Sequence, residues 1–224
     1  MYIKINGIDL FYEVKGQGDP LILLHGNGED HTIFDVLSEG LSQNHTVYTI
    51  DSRDHGKSEI TKDLSYNLMM EDTAGFIKAL NIENPILFGF SDGGITGLLL
   101  ASKYPDMLSK LIISGANLRP DGIKFVYIAI MKIIYFFSHK RKIKMMLTEP
   151  DIKQSDLDKI IVPVLVLAGS KDVVKEEHTK EIAAGLKRGV LKILEGENHA
   201  SYVINSKKLY GVIKDFLEEK EGVK

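Results

Sequence analysis

Apolar residues along this chain fall into two patterns. Short unbroken runs such as Leu21-Ile22-Leu23-Leu24, Ile86-Leu87-Phe88, Leu111-Ile112-Ile113 and Val164-Leu165-Val166-Leu167 are bounded by Gly, Pro or polar residues. Runs of this kind read as strands buried on both faces, inside a sheet covered by helices. Similar β-prone runs lie at 46–50 and 190–194. Between them, residues 32–41, 69–80, 95–103, 175–186 and 207–219 carry helix-compatible patterns. The chain opens differently, with β-prone runs at 2–5 and 8–14 joined at Asn6-Gly7, which predicts a hairpin. Strands alternating with helices predict an α/β fold. Its central sheet is mostly parallel, opened by the hairpin and flanked by helices on both faces.

The alternation stops between 116 and 159, where no strand run is found. Two helices are predicted there instead, at 123–137 and 140–147. This reads as a small helical cap, 116–159, inserted into a core made of 1–115 and 160–224. Within it, Phe125, Tyr127, Ile128, Met131, Tyr135 and Phe136 are candidates to line an apolar pocket. Tyr127 and Met131 are the ones assigned to substrate binding.

Composition narrows the function classes. At 224 residues the chain suits one domain plus this insertion, and its formal net charge of −3 gives no footprint for nucleic acid. There is no cysteine, which removes disulfides, thiolate catalysis and Cys-based metal sites and fits a reducing, cytoplasmic setting. Met1-Tyr2-Ile3-Lys4 reads as the start of a strand rather than a signal peptide. The apolar stretch 123–137 is too short to span a bilayer and contains Lys124 and Lys132, so no membrane contact is expected. The basic group Lys140, Arg141, Lys142 and Lys144 reads as a solvated face. Residues 218–221 read as a charged, frayed end with no role. Oligomeric state is not legible.

The candidate chemistry centres on Gly89-Phe90-Ser91-Asp92-Gly93, a G-x-S-x-G pattern between a buried strand and a helix. That context predicts a tight strand-to-helix turn with Ser91 at its apex and Phe90 beside it. A serine hydroxyl is a weak nucleophile at neutral pH and needs a base, which in turn needs an orienting acid. His199 follows the last strand and Asp172 the one before it, giving the order Ser91, Asp172, His199. Asp172 also fits a helix N-cap. An oxyanion needs donors, and the backbone N–H groups of Asn27 and Asp92 are the candidates. The Asn27 side chain fits equally a second donor or a turn. His25 is expected to support the Asn27 loop, and Asp51 and Arg53 to pair and hold the next loop. No His, Asp or Glu set has metal-site spacing and no cofactor is called for. Ser91, Asn27 and Asp172 all fall just after strand ends, where parallel sheets bind ligands.

With these motifs in hand, the chain resembles the α/β-hydrolase family over nearly its whole length. The resemblance rests on His25-Gly26-Asn27-Gly28, residues 51–58, Gly89-Phe90-Ser91-Asp92-Gly93-Gly94, Asp172 and His199. Asp54 stands where many members have Gly. Gly89 to Thr96, Lys103-Tyr104-Pro105 and Gly115-Ala116-Asn117 are similar to the valacyclovir-hydrolase (biphenyl-hydrolase-like) type of serine esterase. That resemblance implies cleavage of small carboxylic esters, α-amino acid esters among them, with the substrate ammonium held by acidic side chains. Here the matching acid is Asp92. A carboxylate about 4 Å from a developing oxyanion costs about 4 kcal/mol at an effective dielectric near 20. A bound cation offsets that cost and turns it into selectivity. Thioester, amide, lactone and carbon–carbon bond hydrolysis use the same parts. A hydrolase-fold ligand receptor with slow turnover is the alternative of a different class.

Overall fold

The computed structural model describes residues 1–219. Of the charged end read at 218–221, Lys220 and Glu221 lie outside the described residues. β1 (Tyr2–Ile5) and β2 (Ile8–Lys15) form the opening hairpin. Asn6 and Gly7 both take positive φ, 51° and 84°, as a two-residue turn that follows the strand twist requires. β4 (His45–Ile50) pairs antiparallel with β2 and parallel with β3 (Asp19–Leu24). β5 (Ile86–Phe90), β6 (Lys110–Ser114), β7 (Val164–Lys171) and β8 (Gly189–Asn198) extend the parallel part. The eight-stranded sheet has the order β1-β2-β4-β3-β5-β6-β7-β8.

Alternation within the buried runs sorts side chains to the two faces. In β3, Leu21 and Leu23 join one core cluster while Ile22 and Leu24 join the other; β5 divides Ile86 and Phe88 from Leu87 in the same way. The first face is covered by α1 (Asp35–Leu41), entered through a 3₁₀ turn (His31–Phe34), and by α8 (Lys208–Glu218). Phe34, Leu37, Leu209 and Ile213 supply that contact. The second is covered by α2 (Tyr66–Ala79), α3 (Asp92–Lys103) and α7 (Glu176–Gly185) through Met70, Phe76, Leu98 and Ile182. Between β6 and β7 run α4 (Phe125–Ser138), α5 (Arg141–Thr148) and the short α6 (Gln154–Leu157).

Several elements depart from the sequence reading for identifiable reasons. α2 starts at Tyr66 because the Ser65 hydroxyl accepts from Leu68 N–H at 3.2 Å, a cap that the apolar spacing does not reveal. β7 and β8 run on to Lys171 and Asn198, which are register partners. The two strands thus carry the next residues, Asp172 and His199, side by side beyond the sheet. Asp51 and Arg53 do not pair with each other. Arg53 makes a bidentate contact with Asp72 on α2, Nε to Oδ2 at 2.6 Å and Nη2 to Oδ1 at 2.7 Å, with both residues buried.

Removing one member of a buried ion pair strands the other charge. Asp72→Ala is expected to lower the unfolding free energy by about 3–5 kcal/mol, read from the urea midpoint. Asp9→Ala, which breaks the exposed contact with Lys4, is expected to cost less than about 1 kcal/mol. Equal shifts in the two variants would contradict this account of the Arg53 loop.

Candidate active site

The turn after β5 places Ser91 at φ 52°, ψ −112°. A non-glycine residue seldom adopts this conformation. It is enforced by close approach. A Cβ on Gly89 would lie 2.2 Å from the Gly93 carbonyl oxygen, and one on Gly93 would lie 2.2 Å from that of Leu24. Only glycines let α3 start this near β3 and β5. Ser91 is the N-cap of α3, yet its side chain makes no capping bond. The hydroxyl turns instead to His199, Oγ to Nε2 at 3.1 Å.

His199 Nδ1 lies 2.7 Å from Asp172 Oδ1. A carboxylate only accepts, so Nδ1 carries the proton and Nε2 presents its lone pair to the Ser91 hydroxyl. Asp172 is buried, and Oδ1 also accepts from Val174 N–H at 2.9 Å. It is not the N-cap of α7, a position that Lys175 holds. Phe90 packs against the imidazole, ring centroids 4.9 Å apart. Gly115, at φ 64°, closes the other side: a Cβ there would meet His199 Cε1 at 2.6 Å. Gly115 thus supports the sequence-predicted histidine by having no side chain.

Ser91, His199, Asn27, Asp92, Phe90, Tyr127 and Met131 line one cavity of about 270 Å³. Asp172 sits behind His199 and outside that lining. Of the other cap candidates, Phe125 and Phe136 face solvent because they project from the far side of α4; Ile130 and Met146 line the cavity instead. The Asn27 and Asp92 backbone N–H groups have no acceptor among the described residues. A larger cleft, about 670 Å³, opens beside Asp19, Asn44 and Ser109, at the opposite end of the strands from Ser91.

The Asp92 side chain is turned neither to solvent nor to a backbone donor. It is buried and accepts from Asn27 Nδ2 and the Tyr66 hydroxyl, each at 2.8 Å. Burial raises its pKa, and these two bonds work the other way. Tyr66 is pushed well up by burial and then by the Asp92 charge. Glu29, also on the cavity wall, accepts from Gly26 N–H at 3.0 Å, and burial raises its pKa too. Sequence reasoning missed Tyr66 and Glu29. Tyr66 is distant in sequence and belongs to no motif; Glu29 directly follows the His25-to-Gly28 motif and was within reach.

His25 holds the Asn27 loop as expected: Nδ1–H donates to the Gly26 carbonyl at 2.8 Å and Nε2 accepts from Ser52 N–H at 3.0 Å. Asp54 takes φ 65°, the left-handed region, where glycine is the usual occupant. Asp54 Oδ1 accepts from Thr61 N–H at 2.6 Å and Oδ2 from Arg141 Nη2 at 2.7 Å, which ties the loop to α5. Asp30, His31 and Asp51 bring three potential metal donors within 4.8 Å of one another. Their atoms are already engaged: Asp51 Oδ1 accepts from His31 N–H and Nδ1, and Asp30 Oδ1 accepts from Thr32.

This arrangement, a serine on a tight turn hydrogen-bonded to an imidazole that a buried carboxylate orients, is that of an α/β hydrolase. The family model for the alpha/beta hydrolase fold matches residues 19–138, more than half of the chain, and the chain belongs to that family of enzymes. The human serine hydrolase BPHL is 27% identical over 96% of this chain and 85% of its own length. The mouse sn-1-specific diacylglycerol lipase ABHD11 is 29% identical over 67% of this chain, which spans about half of it, 52%. Among solved structures, the esterase EaEST from Exiguobacterium antarcticum superposes with a TM-score of 0.86 at 19% identity, covering 98% of this chain and 99% of that one. A bromoperoxidase from Bacillus anthracis gives 0.86 at 20% identity with the same coverage, 98% and 99%.

The loop beneath the site makes a pH prediction. His55 is buried, with Nδ1–H on the Arg53 carbonyl at 2.8 Å and, among the described residues, no partner for Nε2. Burial, then the neighbouring His25, holds its pKa down to about 4 from 6.5. The unfolded chain therefore takes up this proton first. The contribution of His55 to stability is complete above about pH 6.5 and is lost as pH falls toward 4, to a total of about 3 kcal/mol. In His55→Phe the acid-side decline between those pH values becomes shallower by up to that amount, measured by urea unfolding. An unchanged slope would mean that His55 is not a buried neutral imidazole.

Proposed function

We propose that this chain is a serine esterase that cleaves small carboxylic esters through an acyl-enzyme, with α-amino acid esters as its preferred class. The observation that carries the reading is the hydrogen-bonded line Ser91, His199, Asp172 at the wall of a half-open, mostly apolar cavity. Ser91 Oγ attacks the ester carbonyl as its proton passes to His199 Nε2, and Asp172 holds the imidazolium that forms. The carbonyl oxygen becomes an oxyanion between the Asn27 and Asp92 backbone N–H groups. Collapse expels the alcohol, which leaves with the proton from His199. Water then attacks the acyl-serine with His199 again as base, releasing the carboxylic acid and restoring the Ser91 hydroxyl. Phe90, Tyr127 and Met131 form apolar wall for the acyl or alcohol group.

Support for an amine on the substrate comes from Asp92. Its carboxylate is buried against two neutral donors, and Asp92 and Glu29 both line the cavity. A substrate ammonium supplies the counter-charge that the pocket lacks. Paired aminoacyl and plain acyl esters of one alcohol test this. Wild type is expected to favour the aminoacyl ester. Ser91→Ala lowers turnover of both by at least about a thousandfold. Asp92→Asn lowers kcat/KM for the aminoacyl ester by about tenfold or more, equivalent to about 1.4 kcal/mol, and changes the plain ester far less. Turnover that survives in Ser91→Ala would remove the serine mechanism, and equal losses in Asp92→Asn would remove the amine subsite alone.

A further inference from the structure

Helix α4 carries an apolar surface that no described residue buries. None of its residues is buried. Tyr127, Ile130 and Met131 line the cavity. Val126, Ile133 and Phe137, seven and four residues apart, share a different stripe, which Phe125 and Phe136 widen. These five side chains are between 57% and 82% exposed. A contiguous apolar strip on a chain otherwise rich in charge marks a surface that is covered in use.

Charge indicates what covers it. From 122 to 148 there are six cationic residues, Lys124, Lys132, Lys140, Arg141, Lys142 and Lys144, and no Asp or Glu, in a chain of formal net charge −3. Lys124 is taken by the Asp172 carbonyl and Arg141 by Asp54. Lys132, Lys140 and Lys144 are exposed, and among the described residues none has a carboxylate within 4.0 Å. Lys132 sits beside Phe125 and Phe136 on the helix surface. A cleft next to α5 brings Ile60, Lys140, Lys142 and Ile143 together with Asn27 and with Asp54, whose charge Arg141 already meets. Packing two such faces together would set like charges against each other. An anionic lipid surface accepts both features, acyl chains for the strip and phosphate headgroups for the cations. No helix among the described residues is long and apolar enough to cross a membrane, so α4 would lie in the plane of the surface.

We infer that α4 and α5 dock the protein onto anionic lipid, with Val126, Ile133, Phe136 and Phe137 entering the headgroup boundary and Lys132, Lys140 and Lys144 on lipid phosphates. This departs from the sequence expectation of no membrane contact, in which the basic group was a solvated face. The exposure of α4 changes that, because the basic group now borders an uncovered apolar strip.

The chain has no tryptophan, so Phe137→Trp supplies a single reporter at a position outside the cavity. With phosphatidylcholine vesicles containing phosphatidylserine, its emission is expected to shift to the blue and to be quenched by brominated acyl chains. Phosphatidylcholine alone gives little shift, and salt at about 0.5 M reverses binding. Ile133→Ser with Phe137→Ser, and separately Lys132→Glu with Lys140→Glu and Lys144→Glu, each weaken vesicle sedimentation at least tenfold. Both variants keep wild-type turnover of a soluble ester, which shows that they fold. Unchanged emission on anionic vesicles overturns the inference. So does a blue-shifted dimer in the absence of lipid, which would assign the strip to a second copy of the chain. Sedimentation of both variants equal to wild type overturns it as well.

Discussion

Ser91 is held in a backbone conformation worth about 1–3 kcal/mol of strain, and the carboxyl-terminal edge of the sheet is arranged around holding it there. The restraint is not local preference. Ser91 N–H donates to the Ser114 carbonyl at 2.8 Å, and Gly93 N–H donates to that of His25 at 3.1 Å. The turn is thereby tied to β6 on one side and to the Asn27 loop on the other. The Asn27 loop in turn hangs on His25, whose two ring nitrogens are both engaged. The same packing that strains the serine keeps the Asn27 and Asp92 amides beside it.

Buried carboxylates at this edge are satisfied in different ways, and the differences separate framework from chemistry. Asp72 is met by a guanidinium and fixes the loop that leaves β4. Asp51 is met by His31 and by the Lys57 backbone N–H and braces the same loop. Asp172 is met by His199, a partner that changes charge when it takes a proton. Among the described residues, the Asp92 carboxylate is met by an amide and a phenol alone. Its burial without a cation in contact is what a cationic substrate group would complete.

Much of this was legible in the sequence because it is written in short local patterns. Unbroken apolar runs exposed the parallel strands, Asn6-Gly7 the hairpin, and the G-x-S-x-G pentapeptide between strand and helix the turn at Ser91. Asp172 and His199 were reachable because chain order and strand ends located them. What escaped depends on long-range approach. Tyr66 reaches Asp92 only because α2 packs beside α3, and Arg53 chose Asp72 rather than its neighbour Asp51 for the same reason. The candidates Phe125 and Phe136 failed because apolar residues surround almost the whole of α4, Lys132 excepted, so composition did not tell its cavity face from its outer one.

The central claim is that Ser91 is an activated nucleophile, and covalent capture tests it most directly. Wild-type protein treated with a fluorophosphonate should gain the mass of one phosphonyl group, and peptide mapping should place it on Ser91. Replacing His199 with Ala should slow that reaction severely while leaving the fold intact. A folded wild-type protein that gains no mass, or an adduct mapped to any other residue, would contradict the account.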